Sequence, residues 1–375
     1  MSGGKYYFFI GTTAEFIKLA PIIKEFKQRN LPFKILTSGQ NNVNFSELTF
    51  FTGKLSVYYA FTMRPITLNL HPIIKFIIWV AKAFVNYILF FSHEFKTKNK
   101  KNIYFIVHGD TISSFLGAII AKLFRVKVIH IESGLRSFNF LEPFPEEICR
   151  YVVSRLADIH FCPNAWSVNN LTNTRGEKVN TYENTLIEAY WYVANKKVKN
   201  NFLIQIRRKS KTFCVFVMHR QEHVIFGISK SRELAESILH QIPKSMSCVF
   251  IIHDLSVNFF RSLESVIPDE IKKRIIKSHR LPYTDFIHLL SGAEFVVTDG
   301  GSNQEEMYYM GKPCLLIRRR TERIEGIGEN VIISKNEQET IKLFFSKYYD
   351  MKRKPIFFRN KPSKIIVDYL SNYEG

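Results

Sequence analysis

The 375 residues suffice for two domains of ordinary size, each with its own core, and an apolar fraction of 46% excludes a disordered chain. A net charge of +20 favours a polyanionic partner, whether a nucleotide diphosphate, nucleic acid or an anionic lipid surface. No zinc-finger or RNA-recognition signature accompanies the charge, so nucleic acid is not expected. Cys149, Cys162, Cys214, Cys248 and Cys314 lack metal-type spacing and read as buried, reduced thiols of a cytoplasmic protein. No metal site is expected, and residues 1–5 lack the features of a signal peptide.

In chain order, residues 5–10 read as a strand, and Gly11-Thr12-Thr13 as a turn into a helix over 14–28 whose first amides could face an anion. A second strand over 33–37 ends at Ser38-Gly39-Gln40, and this alternation predicts a doubly wound parallel sheet. His71-Pro72 opens an apolar helix over 73–91. Its polar residues Lys75, Lys82, Asn86 and His93 fall on one narrow stripe. The lysines interrupt it too often for a membrane span. Two readings stand for residues 72–93: a helix buried against its own sheet and a second copy of the chain, or a peripheral contact with a membrane, helped by the basic tract 96–101.

Residues 102–107 and 126–131 are short runs rich in Ile, Val, Tyr and Phe, with helical spacing over 113–124 between them. Asp110 and Glu132 stand at the carboxyl ends of these strands, where open α/β sheets bind ligands. Pro143-Phe144-Pro145-Glu146-Glu147 enters a further helix with acids in its first turn. Asp110, Glu132 and Glu146 are therefore expected in one cleft. Helix continues over 165–171, and the polar stretch 172–184 suits a domain linker.

A second alternation has strands over 211–217, 248–253, 274–277, 295–297 and 314–317. The first of them runs out at His219-Arg220, where the arginine favours a diphosphate. Thr298-Asp299-Gly300-Gly301-Ser302 is a glycine turn into a helix. Gly300 and Gly301 permit close approach of a phosphate, Ser302 is expected to cap the helix, and Glu306 could accept both hydroxyls of a ribose. Helical periodicity over 337–370 breaks at Lys354-Pro355. The expected fold is α/β, two Rossmann-like domains facing across a cleft (GT-B type). The first covers 1–172, the second 185–345, and 346–375 packs back on the first.

The motifs Gly11-Thr12-Thr13-Ala14-Glu15 to Lys18, His108-Gly109-Asp110-Thr111, His130-Ile131-Glu132-Ser133-Gly134-Leu135-Arg136, Pro143-Phe144-Pro145-Glu146-Glu147 to Arg150, His219-Arg220 with Glu222, Thr298-Asp299-Gly300-Gly301 to Glu306 and Thr321-Glu322-Arg323 to Gly326 occur in this order. Together they resemble the non-hydrolysing UDP-N-acetylglucosamine 2-epimerases. The resemblance covers roughly residues 5 to 335. It implies interconversion of UDP-N-acetylglucosamine and UDP-N-acetylmannosamine, or of a related UDP-aminosugar, by elimination and re-addition of UDP, for surface polysaccharide synthesis. No cofactor is implied, and a homodimer is. It maps the family's acids onto Asp110, Glu132 and Glu146, the diphosphate ligand onto His219, and phosphate and ribose contacts onto Gly300, Gly301, Ser302 and Glu306. Lys18, Arg136, Arg150 and Arg220 match further substrate-binding positions.

The sequence departs from the family pattern at three places. Thr13 and Ala14 stand where arginine and proline belong, Gly300-Gly301-Ser302 replaces Ser-Gly-Gly, and Asn41 replaces a histidine associated with an allosteric UDP-sugar site. Such drift also suits a membrane-associated GT-B glycosyltransferase with a lipid-linked or glycan acceptor at the inner face of the membrane, or a non-catalytic sugar-nucleotide sensor.

Overall fold

The structure is a computed structural model that describes residues 4–59, 72–95, 102–196 and 201–373. The chain divides into two compact units, one of residues 1–189 with 358–375 and one of residues 190–357.

The first unit is built on seven parallel strands: β1 Lys5–Ile10, β2 Phe33–Thr37, β3 Val57–Tyr59, β4 Ile103–His108, β5 Lys127–Ile131, β6 Ile159–Cys162 and β7 Glu177–Asn180. They lie in the order β3-β2-β1-β4-β5-β6-β7. The order reverses between β1 and β4, so the crevice that favours ligands opens outside the carboxyl ends of those two strands. The polar stretch expected to be a linker instead carries β7, which pairs with β6 from Ile159↔Glu177 to Cys162↔Asn180. An edge strand is covered on one side only, so it needs no apolar run to announce it.

Helix α1, Thr13–Gln28, follows β1, and α2, Pro72–Glu94, is the long apolar helix. Trp79, Ala83, Tyr87 and Phe91 of α2, with Phe95 just beyond it, are buried. A spacing of four keeps them on one face. Phe91 sits between Phe95 at 4.7 Å and Phe105 at 5.4 Å, ring centre to centre, and the Trp79 indole donates to the Ser38 carbonyl at 3.2 Å. The opposite face leaves Ile77 59% and Leu89 62% exposed, with Ile74 and Val85 beside them. Among the described residues, no helix is long and apolar enough to cross a membrane. Helix α3, Ile112–Leu123, joins β4 to β5, and α4, Glu146–Leu156, leads into β6. The boundary between the units falls inside α5, Leu186–Ala194.

The second unit holds β8 Phe213–Val217, β9 Ser247–Ile252, β10 Ile275–His279, β11 Val296–Thr298, β12 Cys314–Leu316 and β13 Val331–Ile333. The order is β10-β9-β8-β11-β12-β13, all parallel, with its switch point between β8 and β11. Cys214, Phe216, Phe250, Phe295 and Val297 anchor its core, each large side chain stabilising the fold by about 1.5–3 kcal/mol. Helix α6, Gly301–Met310, follows β11. Helix α7, Pro362–Asn372, belongs to the first unit, where Ser363 donates from both its amide and its hydroxyl to buried Glu188 at 2.7 and 2.8 Å. All five cysteines are buried and free.

Candidate active site

In the first unit, the turn after β1 does not offer its amides to a ligand. Glu15, one turn into α1, reaches back and accepts from Gly11 N at 2.6 Å and Thr12 N at 2.7 Å. Thr111 and Ser114 donate to its other oxygen. Burial dominates and raises the Glu15 pKa, opposed by these four hydrogen bonds. The pair Thr12 and Glu15 forms a capping box. Its spacing, a threonine followed three residues later by glutamate, was available in the sequence as a sign that this turn is self-satisfied.

Across the switch point, Lys18 and Glu132 make a buried ion pair at 2.6 Å. Asn184 also donates to the same Glu132 oxygen. Glu132 has φ 60°, in the left-handed region, a conformation that costs about 1–3 kcal/mol and persists only where neighbours hold it. The other Glu132 oxygen lies 3.4 Å from where a Cβ on Gly109 would stand. The left-handed Gly109, φ 62°, thus lets the turn bearing Asp110 pass close to the Glu132 carboxylate.

Beneath this turn lies a set of histidines. Carbonyls only accept, so His130 donates from Nε2 to Gly109 O at 2.8 Å and His160 from Nε2 to Arg175 O at 2.9 Å. Each Nδ1 stands 2.9 Å from the Ser133 hydroxyl between them, whose single proton serves one ring at a time. Burial, then the neighbouring His160, push the His130 pKa down to about 3, and burial lowers His160 as well. His130 is a neutral support for the loops carrying Asp110 and Glu132, and His160 braces the same serine from the neighbouring strand.

Arg150 on α4 donates to Asp110 through Nη2 and to Glu147 through Nη1 at 3.3 Å. Glu147 is fully buried and also accepts from Arg136 Nε at 2.5 Å and from the amides of Ser137 at 3.0 Å and Phe138 at 3.3 Å. Glu146, its half-buried neighbour, shares with Asp110 the surroundings of Cys149. Burial, then Asp110 and Glu146, push that thiol up to about 12. Asp110, Glu132, Glu146, Lys18, Arg136 and Arg150 therefore all lie at one edge of the first unit. Sequence reading missed Glu147, Asn184 and the His130–Ser133–His160 set.

In the second unit, the turns after β8 and β11 meet. Asp299, with no exposed surface, accepts from the amides of His219 and Arg220, each at 2.9 Å. The Nδ1 atoms of His219 and His223 each lie 3.1 Å from its oxygens. Burial alone would raise the Asp299 pKa, yet the His219 and His223 rings hold it well below the usual carboxylate range. Arg220 pairs with Glu222 at 3.0 Å.

Ser302 does not cap α6. Helix α6 starts at Gly301 with Gly300 as its cap residue, and Thr298 Oγ1 accepts from Gly300 N at 3.0 Å. The helix begins one residue before Ser302, which places that hydroxyl inside the first turn. A Cβ on Gly301 would meet Arg323 Nε and Glu322 Oε1, each at 2.8 Å. Arg323 in turn pairs with Glu305 at 3.0 Å. The Thr321-Glu322-Arg323 motif thus clamps a loop onto α6. Glu306 is buried and accepts from Asn303 at 2.9 Å.

Two all-parallel units with charged side chains gathered at both switch points define an α/β protein of the GT-B type. The chain belongs to the UDP-N-acetylglucosamine 2-epimerase family, whose model matches residues 24–371. It is 30% identical over 337 residues to the UDP-N-acetylglucosamine 2-epimerase of Campylobacter jejuni, covering 86% of this chain and 83% of that one. Its fold is similar to that of the Neisseria meningitidis UDP-GlcNAc 2-epimerase bound to UDP-GlcNAc, with 25% identity, TM-score 0.79 and coverage of 98% of this chain and 100% of that one. The S. aureus MnaA-UDP co-structure gives TM-score 0.80 at 23% identity, covering 98% and 96%.

Two outcomes follow from this geometry. Glu147→Ala strands Arg136 and Arg150, and should cost about 3–5 kcal/mol in urea unfolding; a loss within about 0.5 kcal/mol, the ordinary surface range, would refute the anchor. His130 has a folded pKa of about 3, below the unfolded value of about 6.5. Its neutral burial therefore contributes stability above pH ~6.5 that is lost as pH falls toward 3. The stability gap between the native protein and His130→Gln should narrow from pH 7.5 to pH 5. A constant gap would contradict the buried neutral state.

Proposed function

We propose that this protein is a UDP-N-acetylglucosamine 2-epimerase that works without an external cofactor. The observation that carries this reading is the gathering of Asp110, Glu132 and Glu146 at one strand-end edge around Lys18 and Arg150 in a chain of that family. One carboxylate removes the proton at C2 of the sugar. The C1–O bond then breaks, its electron pair goes to the β-phosphate oxygen, and a 2-acetamidoglucal and UDP result. A second carboxylate returns a proton to the other face of C2 while UDP adds back at C1. Carboxylates on both sides of the ring supply the base and the acid.

Lys18 and Asn184 hold Glu132, and Arg150 holds Asp110, in fixed orientations for this exchange. In the second unit, His219, Arg220 and the start of α6 at Gly300, Gly301 and Ser302 serve the diphosphate, and Glu306 the ribose. The curated relatives carry the epimerase name, which disfavours the transferase reading. The five buried thiols accord with a reducing, cytoplasmic setting.

The exposed stripe of α2, with Ile74, Ile77, Val85 and Leu89, is proposed to be covered by a second copy of the chain, the family resemblance implying a homodimer. Leu89→Glu should convert a dimer to a monomer in sedimentation velocity. A native protein that sediments as a monomer and binds anionic vesicles would replace the dimer with a membrane contact.

Incubation of the purified protein with UDP-N-acetylglucosamine in D2O should yield the manno epimer with deuterium at C2, read by proton NMR. Asp110→Asn, Glu132→Gln and Glu146→Gln should each lower kcat by about a hundredfold or more. Intact turnover in Glu146→Gln would defeat the elimination mechanism.

A further inference from the structure

The carboxyl ends of β8 and β11 bring Asp299 and His219 together. Paired neighbours in the sheet, Thr298 and Val217, lead directly into Asp299 and, two residues on, His219. The Asp299 amide donates to Val217 O at 3.2 Å, which locks the two turns in register. A carboxylate has about four acceptor positions. Asp299 accepts from the amides of His219 and Arg220 and is hydrogen-bonded to the His223 Nδ1, and the His219 Nδ1 stands 3.1 Å from its other oxygen. Nothing at this carboxylate is open to solvent or to a ligand. Its chemistry can therefore be expressed only through the rings it holds.

The ring of His219 is the more open of the two, with a side chain 36% exposed against 12% for His223. Its position depends on Gly300. A Cβ there would stand 3.2 Å from His219 Cε1 and 2.7 Å from Asn303 Oδ1. The glycine that departs from the family's serine thus lets the imidazole edge lie against the first residues of α6, where helix amides favour an anion.

We propose that Asp299 is the positioning residue of the diphosphate site, fixing His219 in the form that carries its proton on Nδ1 and presents Nε2 to the ligand. The proposal rests on the reading of this cluster as the diphosphate site. A proton on Nδ1, 3.1 Å from a buried carboxylate, leaves Nε2 as the ligand-facing atom, and the fixed negative charge behind the ring favours any imidazolium formed as charge develops on the leaving oxygen. A carboxylate that only tied two turns together would need the backbone amides and would be indifferent to the tautomer.

The test is nitrogen-15 NMR of the full-length protein labelled at histidine, the His219 signals being those lost in His219→Gln. With His219 neutral, the native protein should show a protonated Nδ1 and an unprotonated Nε2, and Asp299→Asn should shift the proton to Nε2. Asp299→Asn and His219→Gln should each lower kcat by about a hundredfold, with a smaller change in KM. The double variant should be no slower than the slower single one.

A native His219 carrying its proton on Nε2 would overturn the proposal, as would full turnover in Asp299→Asn. The native spectrum decides alone if Asp299→Asn does not fold. Absence of epimerisation by the native protein would strike the functional reading and leave the tautomer measurement standing.

Discussion

The ligand edge of the first unit depends on the buried ion pairs around Arg150. Its guanidinium is 5% exposed and bridges Asp110, at the end of β4, to Glu147, inside α4. Glu147 passes the constraint on to Arg136 and to two backbone amides of the loop after β5. A buried charge left without its partner costs several kcal/mol. The ends of two strands and the start of a helix are therefore committed to a single arrangement, and Glu146 occupies its place because Glu147 is fixed.

A recurring device appears at the switch points. Glu15 and Asp299 each turn a buried carboxylate onto the backbone amides of a βα turn. Such turns are the usual sites for phosphate. At Gly11 and Thr12 an internal acid takes the place of a ligand. At Asp299 the acid organises histidines instead, and the start of α6 stays available. The two turns look alike as sequence and differ in chemistry because of one side chain each.

Much of the architecture was legible because buried parallel strands read as short apolar runs. Lys5–Ile10, Phe33–Thr37 and Phe213–Val217 are examples. Strand Glu177–Asn180 was not, since a polar edge strand is specified by its neighbour rather than by its own residues. Asp110 and Glu132 could be placed from position alone, at the ends of adjacent strands. Glu147 could not be told from Glu146, because the rotation of one helix decides which of two adjacent acids turns inward. Asn184 reaches Glu132 from 52 residues away, a contact no local pattern announces. The cap lies at Gly300, two residues before Ser302, enough to move that hydroxyl from a cap into a helical turn.

The account stands on cleavage of the bond between C1 and the diphosphate oxygen, with UDP retained until the proton returns. Positional isotope exchange tests this directly. UDP-N-acetylglucosamine carrying oxygen-18 in the C1–O–P bridge is incubated with the protein and followed by phosphorus-31 NMR. Elimination frees the β-phosphate to rotate, so the label should scramble into its non-bridging positions alongside epimerisation. Epimerisation with the label still wholly in the bridge would show that the C1–O bond never breaks, and would contradict the mechanism assigned to these carboxylates.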